Sequence, residues 1–148
     1  TEFDVDMSEV PTAPAGFLEE ALNLLCKYHF VKGIILTNTL GNVKLTDPQT
    51  GKSAIGSNGG KAGLSGDFLR ESIVLPLVRR AVPFLDNRID VIACGGGLRG
   101  EHILDYLNTG AKSVQCVSGP IWNGGPRFFQ NLIEESPALQ DYLADYLR

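Results

Sequence analysis

The chain has 148 residues, 43% of them hydrophobic and 20% charged, with a formal net charge of −4. That length supports one domain with its own core. The acidic balance lacks a basic stripe and so excludes nonspecific nucleic-acid binding, while no apolar run approaches the ~20 residues that span a bilayer.

In chain order, Phe3–Asp6 reads as a short strand inside an otherwise irregular segment 1–15, whose stretch Pro11–Pro14 leads into a helix. Residues 16–29 place Phe17, Ala21, Leu24 and Leu25 at helical spacing. Val31–Thr37 has little polar interruption, as a strand buried on both faces would. Residues 38–66 are rich in Gly, Asn, Asp and Ser and read as a long loop, with a small hairpin around Val43–Leu45. Asp67–Phe84 resumes helical periodicity through Phe68, Ile73, Leu77 and Val78. Ile89–Ala93 is the next strand, Arg99–Asn108 a helix stopped by Gly110, and Ser113–Val117 a further strand. One or two closing helices occupy residues 128–147, with Pro137 marking a break. Strands separated by helices of this length predict an α/β fold with a parallel sheet, and the whole chain reads as a single α/β domain.

In such folds ligands lie outside the carboxyl ends of the strands. Here those ends carry Thr37-Asn38-Thr39, Cys94-Gly95-Gly96-Gly97 and Ser118-Gly119-Pro120. Consecutive glycines between a strand and a helix present backbone N–H groups to an anion, and the helix dipole adds positive potential there. A phosphate suits that arrangement best. Asn38 and Thr39 offer an amide and a hydroxyl for a polar planar ligand, although by themselves they read as loop capping. Gly63-Leu64-Ser65-Gly66 taken alone is a turn and an N-cap. Cys26, Cys94 and Cys116 form no CxxC pair and read as reduced, buried core thiols. His29 and His102 have no partner at metal-ligand spacing, so each is assigned a structural or surface role, and no metal site is expected.

The order of the segments GIILTNTLGN (33–42), GGKAGLSGDFLRESIVLPLVRR (59–80), IDVIACGGGLRGEHILDYLNTGAKSVQCVSG (89–119) and GGP (124–126) carries more than any one of them. Together, over roughly residues 16–135, they resemble the C-terminal half of the FMN-dependent dihydroorotate dehydrogenases. The resemblance implies a (β/α)8 TIM barrel, of which this chain holds parallel βα units of the C-terminal half. It implies FMN as cofactor and oxidation of dihydroorotate to orotate in pyrimidine biosynthesis. By motif, Asn38 and Thr39 would contact the pyrimidine, with Thr37 beside them at the cofactor. Gly63, Ser65 and Gly66 would lie close to the flavin. Gly95 and Gly96 would donate N–H groups to the FMN phosphate, and Ser118 and Gly119 would complete that site.

Several features depart from the family pattern. The family usually carries an aromatic residue or glycine and then threonine where Val117 and Ser118 stand. Its flavin-contacting lysine has no match in Phe3-Asp4-Val5-Asp6, and its catalytic base, a serine or cysteine of the N-terminal half, has no counterpart here. A complete barrel needs about 250 residues, and Thr1 in place of Met suggests a processed chain or a piece of a longer one. The resemblance therefore implies a fragment that needs the N-terminal barrel half or an oligomeric partner. It also implies a cytoplasmic protein, or a membrane-associated one if the missing region carries an anchor. Two other readings stay open: a non-catalytic barrel-half subunit, and a flavin-free phosphate-binding barrel enzyme.

Overall fold

Val91 and Ala93 alternate with Asp90, Ile92 and Cys94, so one face of this strand is apolar and small enough for helices to pack closely. In the computed structural model, which describes all residues except 1–3, 9, 11, 55–59 and 147, that strand is the centre of a parallel sheet. The sheet contains β2 (Gly33–Leu36), β5 (Asp90–Cys94) and β6 (Ser113–Gln115), in the order β2-β5-β6. Gly33 pairs with Asp90 and Leu36 with Ala93, while Cys94 pairs with Gln115. This in-register pairing brings the carboxyl ends of the three strands together.

Helices cover one face of the sheet. They are α1 (Phe17–Leu25), α3 (Leu75–Leu85) and α4 (Gly100–Asn108). Leu22, Val74, Val78, Ala81, Leu85, Val91, Ala93 and Tyr106 form the centre of the core with them. The helix predicted over 67–84 is found, but in three parts. A short α2 (Asp67–Leu69) runs into a π-helical turn (Arg70–Val74) and then α3. Beyond β6, a five-residue α5 (Ser118–Trp122) is followed by α6 (Arg127–Glu134) and α7 (Pro137–Tyr146), which begins at the predicted break.

Four expectations are corrected. The loop predicted over 38–66 contains β3 (Leu40–Thr46) and β4 (Lys61–Leu64), which pair antiparallel. The strand predicted at Phe3–Asp6 is found as β1 (Asp4–Asp6), Phe3 lying outside the described residues, but it adds to β3 as a third antiparallel strand, separate from the parallel sheet. Gly41 and Asn42 hid this pattern: they occupy a bulge, with Asn42 at φ 60°, just before Val43 turns inward.

β2 is not buried on both faces, because Gly33 and Ile35 face away from the helices and Ile35 is 52% exposed. α1 stops at Leu25, where tighter bonds from Lys27 N–H to Leu24 and from Tyr28 N–H to Leu25 unwind the end. Its inward side chain is Leu22, with Leu18 and Leu25, whereas Phe17 and Leu24 are exposed. Finally, the strand predicted over Ser113–Val117 ends at Gln115, and Ser118-Gly119-Pro120, read as a strand end, opens a helix.

Candidate functional site

The strand ends enclose a cleft of about 380 Å³. Seven of the residues picked out from sequence line it: Asn38, Thr39, Ser65, Gly95, Gly96, Ser118 and Gly119. Residues separated widely in sequence meet here, since the Ser65 and Ser118 hydroxyls share a hydrogen bond of 2.7 Å. Asn38 Oδ1 accepts the Thr39 N–H at 2.7 Å and so fixes the turn that follows β2.

Three predicted residues stand outside the lining. Thr37 donates its N–H to Cys94 O at 3.0 Å and its hydroxyl to Asn38 O at 2.9 Å. Gly63 lies in β4, where a Cβ would come within 2.9 Å of Thr39 Oγ1. Gly66 caps α2, and its carbonyl accepts the N–H groups of Leu69 and Arg70.

The glycine run owes its shape to what lies beneath it. Gly96 has φ 65°, and a Cβ there would collide with Arg70 Cβ and sit 2.7 Å from Gly66 O. Gly119 meets the same demand across the cleft, where a Cβ would collide with the Phe128 ring. These glycines thus bring backbone close to the helices that support it. The N–H groups of Gly95, Gly96 and Gly97 donate to no partner among the described residues. Those of Ser118 and Gly119, in the first turn of α5, have no intrahelical acceptor.

Among the described residues, no charged side chain lines the cleft. Its polar character comes from neutral donors: backbone N–H groups, the Ser65 and Ser118 hydroxyls, and the amides of Asn38 and Gln115. Leu69, Leu98, Val117 and Ile121 supply an apolar wall. Cys94 and Cys116 also line it, and both are half-buried free thiols, more accessible than the core positions expected for them. Burial pushes the Cys94 thiol above its ordinary range. Burial, with a smaller contribution from Cys94, pushes Cys116 up to about 11. Both are therefore neutral near pH 7.

Sequence reasoning missed the residues that hold the glycine run in place. Tyr106 is fully buried and donates its hydroxyl to Gly95 O at 2.7 Å. His102 Nδ1 lies 3.0 Å from Gly96 O and 3.1 Å from Asp67 Oδ1, so a proton on Nδ1 has two acceptors. The Leu98 N–H, 3.4 Å from the same nitrogen, already donates to Gly96 O at 3.0 Å. Arg70 is 7% exposed and pairs with Asp105 and Glu71, both at 2.9 Å. The available signal was the spacing of His102 and Tyr106, four residues apart on one face of a helix beside the glycines.

The family model for dihydroorotate dehydrogenase matches residues 17–139. The chain belongs to the dihydroorotate dehydrogenase family. It is 30% identical over 115 residues to the dihydroorotate dehydrogenase (quinone) of Coxiella burnetii, covering 78% of this chain and 31% of that protein. It is 36% identical over 116 residues to the corresponding quinone protein of Halorhodospira halophila, covering 77% of this chain and 31% of that one. It is also 30% identical over 116 residues to the catalytic subunit of the NAD(+) form, dihydroorotate dehydrogenase B, from Staphylococcus carnosus, covering 77% and 35%. The chain thus spans about a third of the length of the curated relatives it matches. A crystal structure of Eimeria tenella dihydroorotate dehydrogenase in complex with ferulenol superposes with a TM-score of 0.63 at 22% identity, over 90% of this chain and 34% of that one. The fold of this dihydroorotate dehydrogenase family member is accordingly a partial TIM barrel, with the parallel βα units expected from its sequence. Among the described residues, no helix is long and apolar enough to cross a membrane.

Proposed function

We propose that this chain is the flavin-phosphate-binding portion of an FMN-dependent dihydroorotate dehydrogenase, which oxidises dihydroorotate to orotate. The observation that carries the reading is the set of N–H groups at Gly95–Gly97 that have no partner among the described residues, in one cleft with Ser118 and Gly119 and with no charged side chain among its described lining residues. That donor set fits a phosphate, which accepts several hydrogen bonds at once, and among the described residues no carboxylate lines the cleft to repel it.

Gly95 and Gly96 bind the phosphate from one strand end, and Ser118 and Gly119 from the next. Ser65, tied to Ser118 at 2.7 Å, links this cradle to the end of β4. Thr37, Gly63 and Gly66 act from behind the lining by shaping the turns beside the flavin. Asn38 and Thr39, which line the same cleft, orient the pyrimidine. FMN, when bound, supplies the redox chemistry, and the protein supplies position and a dry wall.

The same reading assigns the catalytic base to the part of the barrel outside this chain. The Cys94 and Cys116 thiols line the cleft and are held neutral near pH 7 by burial, and this reading does not assign them that role. β2 and β6 each pair with one neighbour only among the described residues. The remaining barrel units therefore come from a longer polypeptide or a companion chain, which adds strands at those edges.

The visible absorption spectrum of the purified chain tests the proposal. Flavin bands, with FMN identified by mass spectrometry of the released ligand, are the expected result. A colourless chain that takes up no FMN and instead binds a phosphorylated sugar would replace this reading with that of a flavin-free barrel enzyme.

A further inference from the structure

The Gly95–Gly96 and Gly96–Gly97 peptides are trans, so in each the C=O and the N–H point in opposite directions. The Gly95 carbonyl is held by the Tyr106 hydroxyl at 2.7 Å, and the Gly96 carbonyl by His102 Nδ1 at 3.0 Å together with the Leu98 N–H, also at 3.0 Å. Tyr106 and His102 stand four residues apart on α4, and no residue of α4 lines the cleft. Two side chains from one helix face thus grip two successive carbonyls from the side away from the cleft. The partner atoms of those same peptide units are the N–H groups of Gly96 and Gly97, which donate to nothing among the described residues.

We infer that Tyr106 and His102 are positioning residues that, by holding the carbonyls of Gly95 and Gly96, aim the N–H groups of Gly96 and Gly97 into the cleft at the phosphate. The inference rests on the phosphate-site reading above and adds to it the reason that this glycine run keeps one orientation. A run of glycines free to rotate would spend part of its time with carbonyls toward the anion, which repels them. Two side-chain anchors remove that freedom before the ligand arrives. The clamp has a second layer. Asp67 Oδ1 lies 3.1 Å from the same His102 nitrogen, and Arg70 joins α4 to the helix beneath Gly96 through Asp105 at 2.9 Å. Burial raises the Tyr106 phenol above its ordinary range, so the hydroxyl remains a donor throughout the neutral and mildly alkaline range.

The test compares FMN with riboflavin, which has the same ring system and no phosphate, by fluorescence titration of the intact chain and of Tyr106→Phe and His102→Ala. Tyr106→Phe keeps the buried ring and removes only the donor. We expect each variant to bind FMN about tenfold more weakly or worse, while riboflavin affinity stays within about twofold of the parent chain. As a second measurement, inorganic phosphate should shift the 15N-amide resonances of Gly96 and Gly97 in the parent chain and shift them less in either variant. Equal losses for FMN and riboflavin, or unchanged FMN affinity, would overturn the positioning role and leave the phosphate site standing. A parent chain that binds FMN no more tightly than riboflavin, with Gly96 and Gly97 resonances unmoved by phosphate, would overturn the phosphate reading itself.

Discussion

At Gly96 two constraints coincide: a positive φ of 65° and a Cβ position already occupied by Arg70 and Gly66. Gly96→Ala should lower stability by about 2–4 kcal/mol, combining left-handed backbone strain with overpacking. Urea unfolding followed by circular dichroism measures it, and a loss below about 0.5 kcal/mol would show that the turn relaxes freely. Cys116 makes a different prediction. Its thiol is held at about 11 in the folded chain against an ordinary 9.0. Between those values the folded state keeps a proton that the unfolded state has lost, so stability present below pH 9 declines as pH rises toward 11. The urea midpoint should fall over that window, and Cys116→Ser should make the fall shallower. The glycine run and Ser118 were legible as candidate cleft residues because they follow strand ends, whereas Ser65 entered only through the order of the motifs. Tyr106 and Arg70 were not, because their importance lies in what the folded backbone places against them.

At the level of elements, α1 shows how periodicity locates a helix without fixing its inward face. Phe17, Ala21, Leu24 and Leu25 lie at helical spacing, yet Leu22 enters the core and Leu24 stays 51% exposed. Leu22→Ala should cost about 2–4 kcal/mol, whereas Leu24→Ala should change stability by less than about 0.5 kcal/mol. The two variants unfolded side by side check this, and equal effects would mean that the helix sits rotated from the orientation described. The antiparallel β1-β3-β4 sheet was legible only in part, as a short strand at Phe3–Asp6 and a small hairpin around Val43–Leu45, for a related reason. Its strands carry Gly and Asn at a bulge and pair across a connection that includes residues 55–59. Composition alone reads such a stretch as loop, and only pairing reveals strand.

On the scale of the whole molecule, the parallel sheet, with both edges unpaired and Ile35 exposed among the described residues, is part of a barrel. On the proposed reading, which places the base in barrel units outside this chain, the chain supplied with FMN and dihydroorotate should produce no orotate. Addition of the complementary barrel units in trans should restore turnover, followed by orotate absorbance. Turnover by the chain alone at a rate comparable to the reconstituted enzyme would place the base among the residues described.

The sequence by itself determined the alternation of helices and parallel strands, the glycine run at a strand end and the family to which the chain belongs. All three follow from local patterning and motif order, which survive without knowledge of contacts. Only the tertiary structure decided which predicted residues share one cleft, that Thr37, Gly63 and Gly66 stand behind its lining, and that α4 grips the glycine carbonyls. The physical reason is that peptide orientation and side-chain burial depend on neighbours distant in the chain, and a one-dimensional pattern does not contain them.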